Sequence, residues 1–185
     1  MPLIVPDELH GEIVTLRRYR LSDMDAVRES IDASFDELNR WMPWAAERPT
    51  VESVRAFVEP SSREFGGATA AANYAIVLRA EDRFVGSCGL MQDLGPHALE
   101  IGYWVDSRYT GRGIAKQAAR LAASAAFTVD GIDRVEIRCD AENVASAKVA
   151  EGVGFTLDRT EEVPLEDGRI GQRMIWVERR DRTPT

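Results

Sequence analysis

A glycine-rich loop between a predicted strand and a predicted helix carries the residues best suited to chemistry. Its sequence, over residues 108–115, is Arg-Tyr-Thr-Gly-Arg-Gly-Ile-Ala. Gly111 and Gly113 let the backbone turn sharply and approach an anion closely. The free amides of the first helical turn then point at that anion, and the helix dipole adds to the attraction. Arg108 and Arg112 add mobile positive charge, so the expected ligand is a pyrophosphate.

Other phosphate-binding loops fit this segment less well. It lacks the later third glycine of the dinucleotide fingerprint, and it lacks the Gly-Lys-Ser/Thr of nucleoside triphosphate loops. A Gly-x-Gly that only makes a tight strand-to-helix connection is the plainer alternative, and it stays open. The length of the motif and the strand before it, which could host an extended ligand, favour a binding loop.

The pattern Arg-x-x-Gly-x-Gly-x-Ala resembles the coenzyme A loop of the GNAT acetyltransferase superfamily. A second motif, Asn-Val-Ala-Ser-Ala-Lys at 143–148 followed by Gly154-Phe155, resembles the second half of that signature in the RimJ/RimL-like branch. Two further segments match the same branch, namely Leu16-Arg17 with Asp23 and Asp25, and Glu100-Ile101-Gly102-Tyr103-Trp104. Two separated motifs in the correct order make the resemblance specific, and it covers nearly the whole chain.

The resemblance implies a splayed sheet and a place for acetyl-CoA. The strand around Trp104 would part from the strand around Val135–Cys139, and the pantetheine arm would pair with the first strand like an added strand. Asn143 and Ser146 would face that arm, although Asn143 also suits a helix cap, and both roles can hold together. The residues expected to bind the cofactor are Trp104, Val105, Arg108, Gly111, Arg112, Gly113, Ile114, Ala115, Asn143, Ser146 and Lys148.

The reaction implied is direct attack of an amine on the thioester through a tetrahedral intermediate. The amine must be neutral, so a base must take a proton, and Glu100 is the candidate; a carboxylate that only faces solvent is the alternative. The oxyanion would accept a hydrogen bond from a backbone amide near Val105. Many family members place a tyrosine acid seven residues after the asparagine, where this chain has Ala150. Ser146 is therefore the candidate acid, or the thiolate leaves unassisted.

The segment Trp41-Met42-Pro43-Trp44 is the expected acceptor wall, with Trp41, Met42 and Trp44 contacting the substrate; core packing is the alternative. The leading acceptor is a protein or peptide N-terminal amine. The alternatives are a small amine, such as an antibiotic, polyamine or amino acid, and a coenzyme A binding module without turnover. Another donor, such as succinyl-CoA, also stays open.

The elements that position these residues follow from hydrophobic periodicity. Alternation predicts strands at 13–17, 74–78, 84–90, 99–105, 134–139, 155–161 and 172–177, with a turn at Asp167-Gly168 in the last hairpin. Helices are expected from Ser22 toward Leu38, from Thr50, from Ile114 and over 145–152. Residues 66–72 are expected to form a loop. The fold class is therefore mixed α/β, a GNAT-type splayed central sheet of about six to seven strands with about four helices.

Bulk properties limit the remaining possibilities. The 185 residues suit a single domain over 1–185 with a frayed tail at 179–185. A net charge of −8 argues against a nucleic-acid partner. The absence of a signal peptide or long apolar run predicts a cytoplasmic protein without membrane contact. Cys88 and Cys139 are expected to be buried free thiols, no metal site is expected, and the chain would be a monomer or homodimer.

Overall fold

The computed structural model describes residues 3–66, 71–165 and 169–180. Within these ranges the chain forms eight strands and five α-helices. The strands are β1 Glu8–His10, β2 Val14–Arg18, β3 Ala72–Leu78, β4 Arg83–Met91, β5 Ala98–Val105, β6 Arg134–Asp140, β7 Thr156–Pro164 and β8 Ile170–Arg179. The helices are α1 Met24–Ala33, α2 Phe35–Trp41, α3 Val51–Arg63, α4 Ile114–Ala126 and α5 Val144–Val153. Short 3-10 turns lie at Leu21–Asp23, Pro43–Ala45 and Ser107–Tyr109.

All eight strands belong to one sheet in the order β1-β2-β3-β4-β5-β6-β8-β7. Neighbouring strands are antiparallel except β5 and β6, which run parallel. These two pair only where Ala98–Glu100 meets Arg134–Glu136, and beyond that point they part. The predicted mixed α/β fold with a splayed sheet is confirmed, and the gap opens beside the second half of β5.

Two cores cover the two faces of the sheet. One contains Leu99 and Ile101 of β5 and the buried alanines of α4, whose small side chains let the helix approach the sheet closely. The other contains Trp104 and the apolar side chains of α1, α2 and α3. Because side chains alternate along a strand, Glu100, Gly102 and Trp104 share the face toward α1–α3. The face assignment made for β5 is thus confirmed.

The N-terminal third departs from expectation in two elements. Strand β1 is too short, at three residues, to show periodicity, and it gains its hydrogen bonds only by pairing with β2. The single helix expected from Ser22 toward Leu38 is broken at Ser34 into α1 and α2. The hydroxyl of Ser34 accepts a hydrogen bond of 2.9 Å from the amide of Ser107, a tertiary contact that local pattern does not reveal.

The start of α1 also differs from the helix start expected at Ser22. The helix begins at Met24 after a 3-10 turn, and the cap residue is Asp23. The carboxylate of Asp23 instead accepts the backbone amide of Arg20 at 2.8 Å and both terminal nitrogens of Arg17 at 2.8 Å. The ion pair with Arg17, largely shielded from solvent, fixes Asp23 before the helix starts. Helix α3, by contrast, opens as predicted, with Thr50 as its cap.

Parts of the predicted loops and tail lie outside the described residues. These are 67–70 of the 66–72 loop, the Asp167-Gly168 turn, and 181–185 of the tail. The tail assignment is corrected at its first two residues: Arg179 pairs with Arg134 as the last residue of β8, and the amide of Arg180 donates to Asp133 O at 2.9 Å. Among the described helices, none combines the length and apolar character that crossing a membrane requires.

Candidate active site

The loop before α4 has the geometry of an anion cradle. Gly111 and Gly113 both adopt left-handed backbone angles, with φ of 74° and 76°. Helical bonding starts with Gln117 N donating to Gly113 O at 3.0 Å, which leaves the three preceding amides of the first turn without a helical acceptor. A Cβ built at Gly111 meets no described atom within 4 Å, and at Gly113 only Ile13 Cδ1 at 4.0 Å. The left-handed backbone favours glycine at both positions, and the side on which a Cβ would lie is open.

Arg108 has a different role from the mobile cation expected. Its Nε and Nη2 atoms bond Asp106 at 3.0 and 2.7 Å, and its Nη1 bonds Glu29 at 2.8 Å. Burial alone would raise the pKa of Asp106, but the guanidinium and amide of Arg108 outweigh it and hold that pKa below its ordinary value. The positive charge of Arg108 is therefore matched by two carboxylates. Arg112 is exposed, with its guanidinium 5.1 Å from the centre of the Tyr109 ring.

The same loop is tied to the break between α1 and α2. Besides the Ser107 amide bond to Ser34, the hydroxyl of Ser107 donates to Ala33 O at 3.1 Å. Arg108 adds its ion pair with Glu29 of α1. These contacts fix the start of the loop, at Ser107 and Arg108, against α1 and the break that follows it.

Ser146 and a tyrosine lie together on the α5 side of the gap. Ser146 Oγ is 2.9 Å from the hydroxyl of Tyr103, which also donates to Ser146 O at 3.2 Å. Asn143 caps α5, since its Oδ1 accepts the Ser146 amide at 3.1 Å, so the helix-cap role is confirmed. Burial raises the pKa of Tyr103, which stays a neutral phenol. Contact of Asn143 and Ser146 with a cofactor stays a prediction.

Tyr103 was missed as a functional candidate, although the sequence held a signal for it. It belongs to the matched Glu100–Trp104 segment, and alternation places it on the face of β5 toward α4 and α5. Ala150, at the α5 position where many members of the resembled family carry a tyrosine acid, is buried. The phenol that reaches α5 therefore comes from Tyr103 of β5 and contacts Ser146.

Glu100 occupies the last position at which β5 and β6 pair, and its partner there is Glu136. Its side chain is 23% exposed, and its Oε2 lies 3.7 Å from Arg138 Nε. Burial raises the pKa of Glu100, with Arg138 acting in the opposite direction, and the net shift is upward. A carboxylate with a raised pKa, partly open to the cleft, is suited to accept a proton. Glu136 and Arg138 were not identified from sequence.

The expected acceptor wall divides into two parts. Trp44 is 53% exposed, and its ring centre lies 6.1 Å from that of Trp104. Met42 packs against the core that contains Trp104. Trp41 is instead engaged by its own helix, since its Nε1 donates to Glu37 at 3.1 Å and Arg40 stacks on it at 4.4 Å. The structure brings Trp44 to Trp104 of β5 and Met42 to the surrounding core, but it leaves Trp41 against its own helix, α2.

Two lysines lie on the helices α4 and α5. Lys148 is exposed on α5, as expected of a residue that reaches a phosphate. Lys116, which sequence reasoning did not select, extends from the first turn of α4, and its Nζ lies against Gly152 of α5. Its position in the first helical turn after the glycines was the available signal.

Comparison of the sequence and the fold with known proteins finds acetyltransferases in each case. The family model for the acetyltransferase (GNAT) domain matches residues 14–156. The uncharacterized N-acetyltransferase YnaD of Bacillus subtilis is 26% identical over 76% of this chain and 77% of its own length. YdaF of Bacillus subtilis, which has a provisional name as a ribosomal N-acetyltransferase, is 27% identical over 78% and 79%. The fold superimposes on RimL, a ribosomal L7/L12 alpha-N-protein acetyltransferase solved with coenzyme A, with a TM-score of 0.79 and 22% identity over 96% and 98% of the two chains.

Proposed function

This chain belongs to the GNAT family of acetyl-CoA-dependent N-acetyltransferases, and we propose that its acceptor is the N-terminal amine of a protein or peptide. The observation that carries the proposed site is the parting of β5 from β6 after Glu100 and Glu136. The opening lies between an anion cradle, a carboxylate on one face of the sheet and a paired serine and tyrosine on the other.

Three parts of the chain would hold acetyl-CoA. The amides of residues 111–115 would bind the pyrophosphate, and Lys148 and Arg112 would add charge at the entrance. On β5, Trp104 and Val105 pair with β4 on one side only, which leaves their other edge free of β6 to pair with the pantetheine arm. When bound, acetyl-CoA supplies a thioester that an amine can attack.

The protein side chains would then manage the protons. Glu100, reached from the face toward α1–α3, would take a proton from the attacking amine directly or through water. A backbone amide near Val105 would donate to the oxyanion. On the opposite face, Ser146 would hydrogen-bond the leaving sulfur or the arm of the cofactor, with Tyr103 behind it. Direct attack needs no covalent intermediate on the enzyme.

The choice of a protein acceptor is supported by two considerations. YdaF is named for a ribosomal acceptor and RimL for a ribosomal protein, and the Glu100–Trp104 and Asn143–Lys148 segments resemble the RimJ/RimL-like branch. The acceptor side, moreover, presents Trp44 half exposed beside Trp104, an open aromatic surface on which a peptide can lie.

Thiol release from acetyl-CoA with an acceptor panel tests the proposal. The panel contains peptides with free N-termini, the same peptides with acetylated N-termini and one internal lysine, and small amines including a polyamine and an aminoglycoside. We expect release only with free N-termini, and mass spectrometry should place the acetyl group there. Release with small amines alone would contradict the protein acceptor. Binding of coenzyme A without release for any acceptor would indicate a binding module.

A further inference from the structure

Three charged side chains form a row from the interior of the sheet into the cleft. Glu136 and Arg138 are two residues apart on β6 and so share one face, and Glu100 lies beside Glu136 on β5. Arg138 Nε donates to Glu136 Oε2 at 2.9 Å, and its Nη2 lies 2.8 Å from the same oxygen. The other neighbour of Arg138 is Glu100, with 3.7 Å between Nε and Oε2.

Burial makes the inner end of this row rigid. Glu136 is 1% exposed, whereas Arg138 and Glu100 are 25% and 23% exposed. Arg134 flanks Glu136 on its other side, with Nε 3.0 Å from Oε1 but no well-directed hydrogen bond. A carboxylate buried to this degree needs its cations, so Glu136 holds Arg138 in a fixed place.

The contact between Arg138 and Glu100, at the exposed end of the row, is electrostatic rather than a hydrogen bond. A separation of 3.7 Å is too long for a hydrogen bond, so Arg138 acts on Glu100 through its charge and leaves the carboxylate oxygens free. Such a contact favours the ionised form without occupying the lone pair that must accept a proton. We propose that Arg138, held by Glu136, is a positioning residue that keeps Glu100 ionised and unblocked for its work as the base; this rests on the proposed function.

The charged groups that face Glu100 determine whether a substitution raises or lowers the pKa of its carboxyl group. Burial is the largest effect and raises its pKa; Asp93, in the turn after β4, and Glu136 raise it further, while Arg138 and Arg173 of β8 lower it. Arg138→Gln removes the nearest cation and leaves Arg134 as the remaining cation beside Glu136, so the pKa of Glu100 should rise. Glu136→Gln removes a like charge and frees Arg138 to approach Glu100, so that pKa should fall. General damage to the fold would not move the two variants in opposite directions.

A carboxyl ¹³C NMR titration of the protein without acetyl-CoA measures this directly. The Glu100 signal is assigned by its loss in Glu100→Gln. We expect an upward pKa displacement in Arg138→Gln, a wild-type position in Arg138→Lys, and a downward displacement in Glu136→Gln. Arg159→Gln is the matched control, since Arg159 also contacts two carboxylates, Asp158 and Glu161, but on β7. An unmoved Glu100 titration in Arg138→Gln overturns the proposal.

The pH profile of turnover is the second readout. In Arg138→Gln the acidic limb of kcat should move to higher pH, with a loss at acidic pH of about tenfold for each pH unit of displacement and little change on the alkaline plateau. If Glu136→Gln does not fold, the contrast between Arg138→Gln and Arg138→Lys decides. If the Glu100 titration is displaced in Arg138→Gln but the acidic limb of kcat is not, the effect of Arg138 on Glu100 is confirmed and Glu100 is refuted as the base. If no acceptor in the panel supports turnover, the proposed function is refuted. The NMR titration would still test whether Arg138 lowers the pKa of Glu100.

Discussion

Glu100 and Ser146 approach the cleft from opposite faces of the sheet. The alternation of β5 sends Glu100 toward α1–α3 and Tyr103, three residues later, toward α5, where it meets Ser146. In the proposed reaction the amine loses a proton, whereas the leaving sulfur can accept one. The sheet would keep Glu100, the proposed proton acceptor, apart from Ser146, the candidate donor. In the proposed reaction, β5 would therefore carry the base on one face and position Ser146, through Tyr103, on the other.

Glu100→Gln should lower turnover by roughly 10²-fold or more while coenzyme A affinity is little changed, because only the proton acceptor is lost. Wild-type kcat should rise as pH increases through the raised pKa of Glu100 and the carboxyl loses its proton, and the variant should lack that limb. Glu178→Gln is the control: its carboxyl pKa is also raised by burial, but the cation that opposes this rise is Arg120 of α4. Wild-type rates in Glu100→Gln from pH 6 to 9 would remove Glu100 as base.

Ser146→Ala should weaken coenzyme A binding by about 1 kcal/mol and largely keep the saturated rate, since a thiolate is a tolerable leaving group. A fall in the saturated rate with unchanged affinity would instead identify Ser146 as the proton donor. Calorimetry and steady-state kinetics separate the two, and no change in either would leave Ser146 without a role.

Tyr103→Phe should produce the same kind of loss as Ser146→Ala, because the phenol holds the serine hydroxyl in place. In the double variant the losses should not add, since the two groups act as one unit. Tyr74→Phe is the matched control, a buried tyrosine whose hydroxyl donates to Pro6 O at 2.8 Å. Additive losses would show that Tyr103 acts independently of Ser146.

The residues found from sequence and those missed differ in what locates them. Glu100 and Ser146 belong to motifs that are continuous along the chain. Glu136 and Arg138 become candidates only because the strand register sets Glu136 beside Glu100. Tyr103 becomes one only because α5 places Ser146 against it. Register between distant strands is a tertiary property that local pattern does not encode.

At the scale of elements, the proposed anion cradle consists of the end of β5, a 3-10 turn and the start of α4, held together around the buried carboxylate of Asp106. Asp106 is fully buried and accepts both the amide and the guanidinium of Arg108. Arg108 reaches on to Glu29, so the loop is braced before a ligand arrives. A preformed cradle lowers the ordering cost of binding an anion.

Gly113→Asp should abolish coenzyme A binding and leave the fold near intact. The change places a side chain and a negative charge before the amides, and the left-handed backbone adds strain of about 1 kcal/mol. Gly95→Asp is matched in strain, because Gly95 also has positive φ, 92°, with no described atom within 4 Å of an added Cβ. Equal calorimetric affinity in folded Gly113→Asp and wild type would refute the cradle.

Elements with strong local signals were predicted, and those made by distant contacts were not. The alanine-rich stripe of α4 and the alternation of β5 and β6 are complete within their own segments. The break at Ser34 depends on Ser107, more than seventy residues away, and β1 exists only as a partner of β2. Such elements draw their stability from tertiary contacts rather than from propensity.

At the scale of the molecule, the sheet consists of two parts that meet at β5 and β6. These strands share only three paired positions, so the junction has few backbone hydrogen bonds compared with the long ladders on either side. The proposed cofactor position lies in this junction. A ligand there would touch β5, α4 and α5 together and join the parts of the fold that the gap separates.

Coenzyme A should therefore raise the thermal stability of the whole domain. A ligand that binds only the native state adds about 2.7 kcal/mol at one hundred times its Kd, which for a domain of this size is a Tm increase of roughly 5–11 °C. Calorimetric scans at rising coenzyme A concentration measure it, with Gly95→Asp expected to respond like wild type. Gly113→Asp should show no increase, because the pyrophosphate cradle is blocked. Pantetheine alone, which lacks the pyrophosphate, should stabilise far less at the same concentration, since it engages the gap without the α4 amides. A wild-type Tm that does not move with coenzyme A would contradict binding of the cofactor. A Tm that moves equally in Gly113→Asp would place the pyrophosphate elsewhere than at the α4 amides.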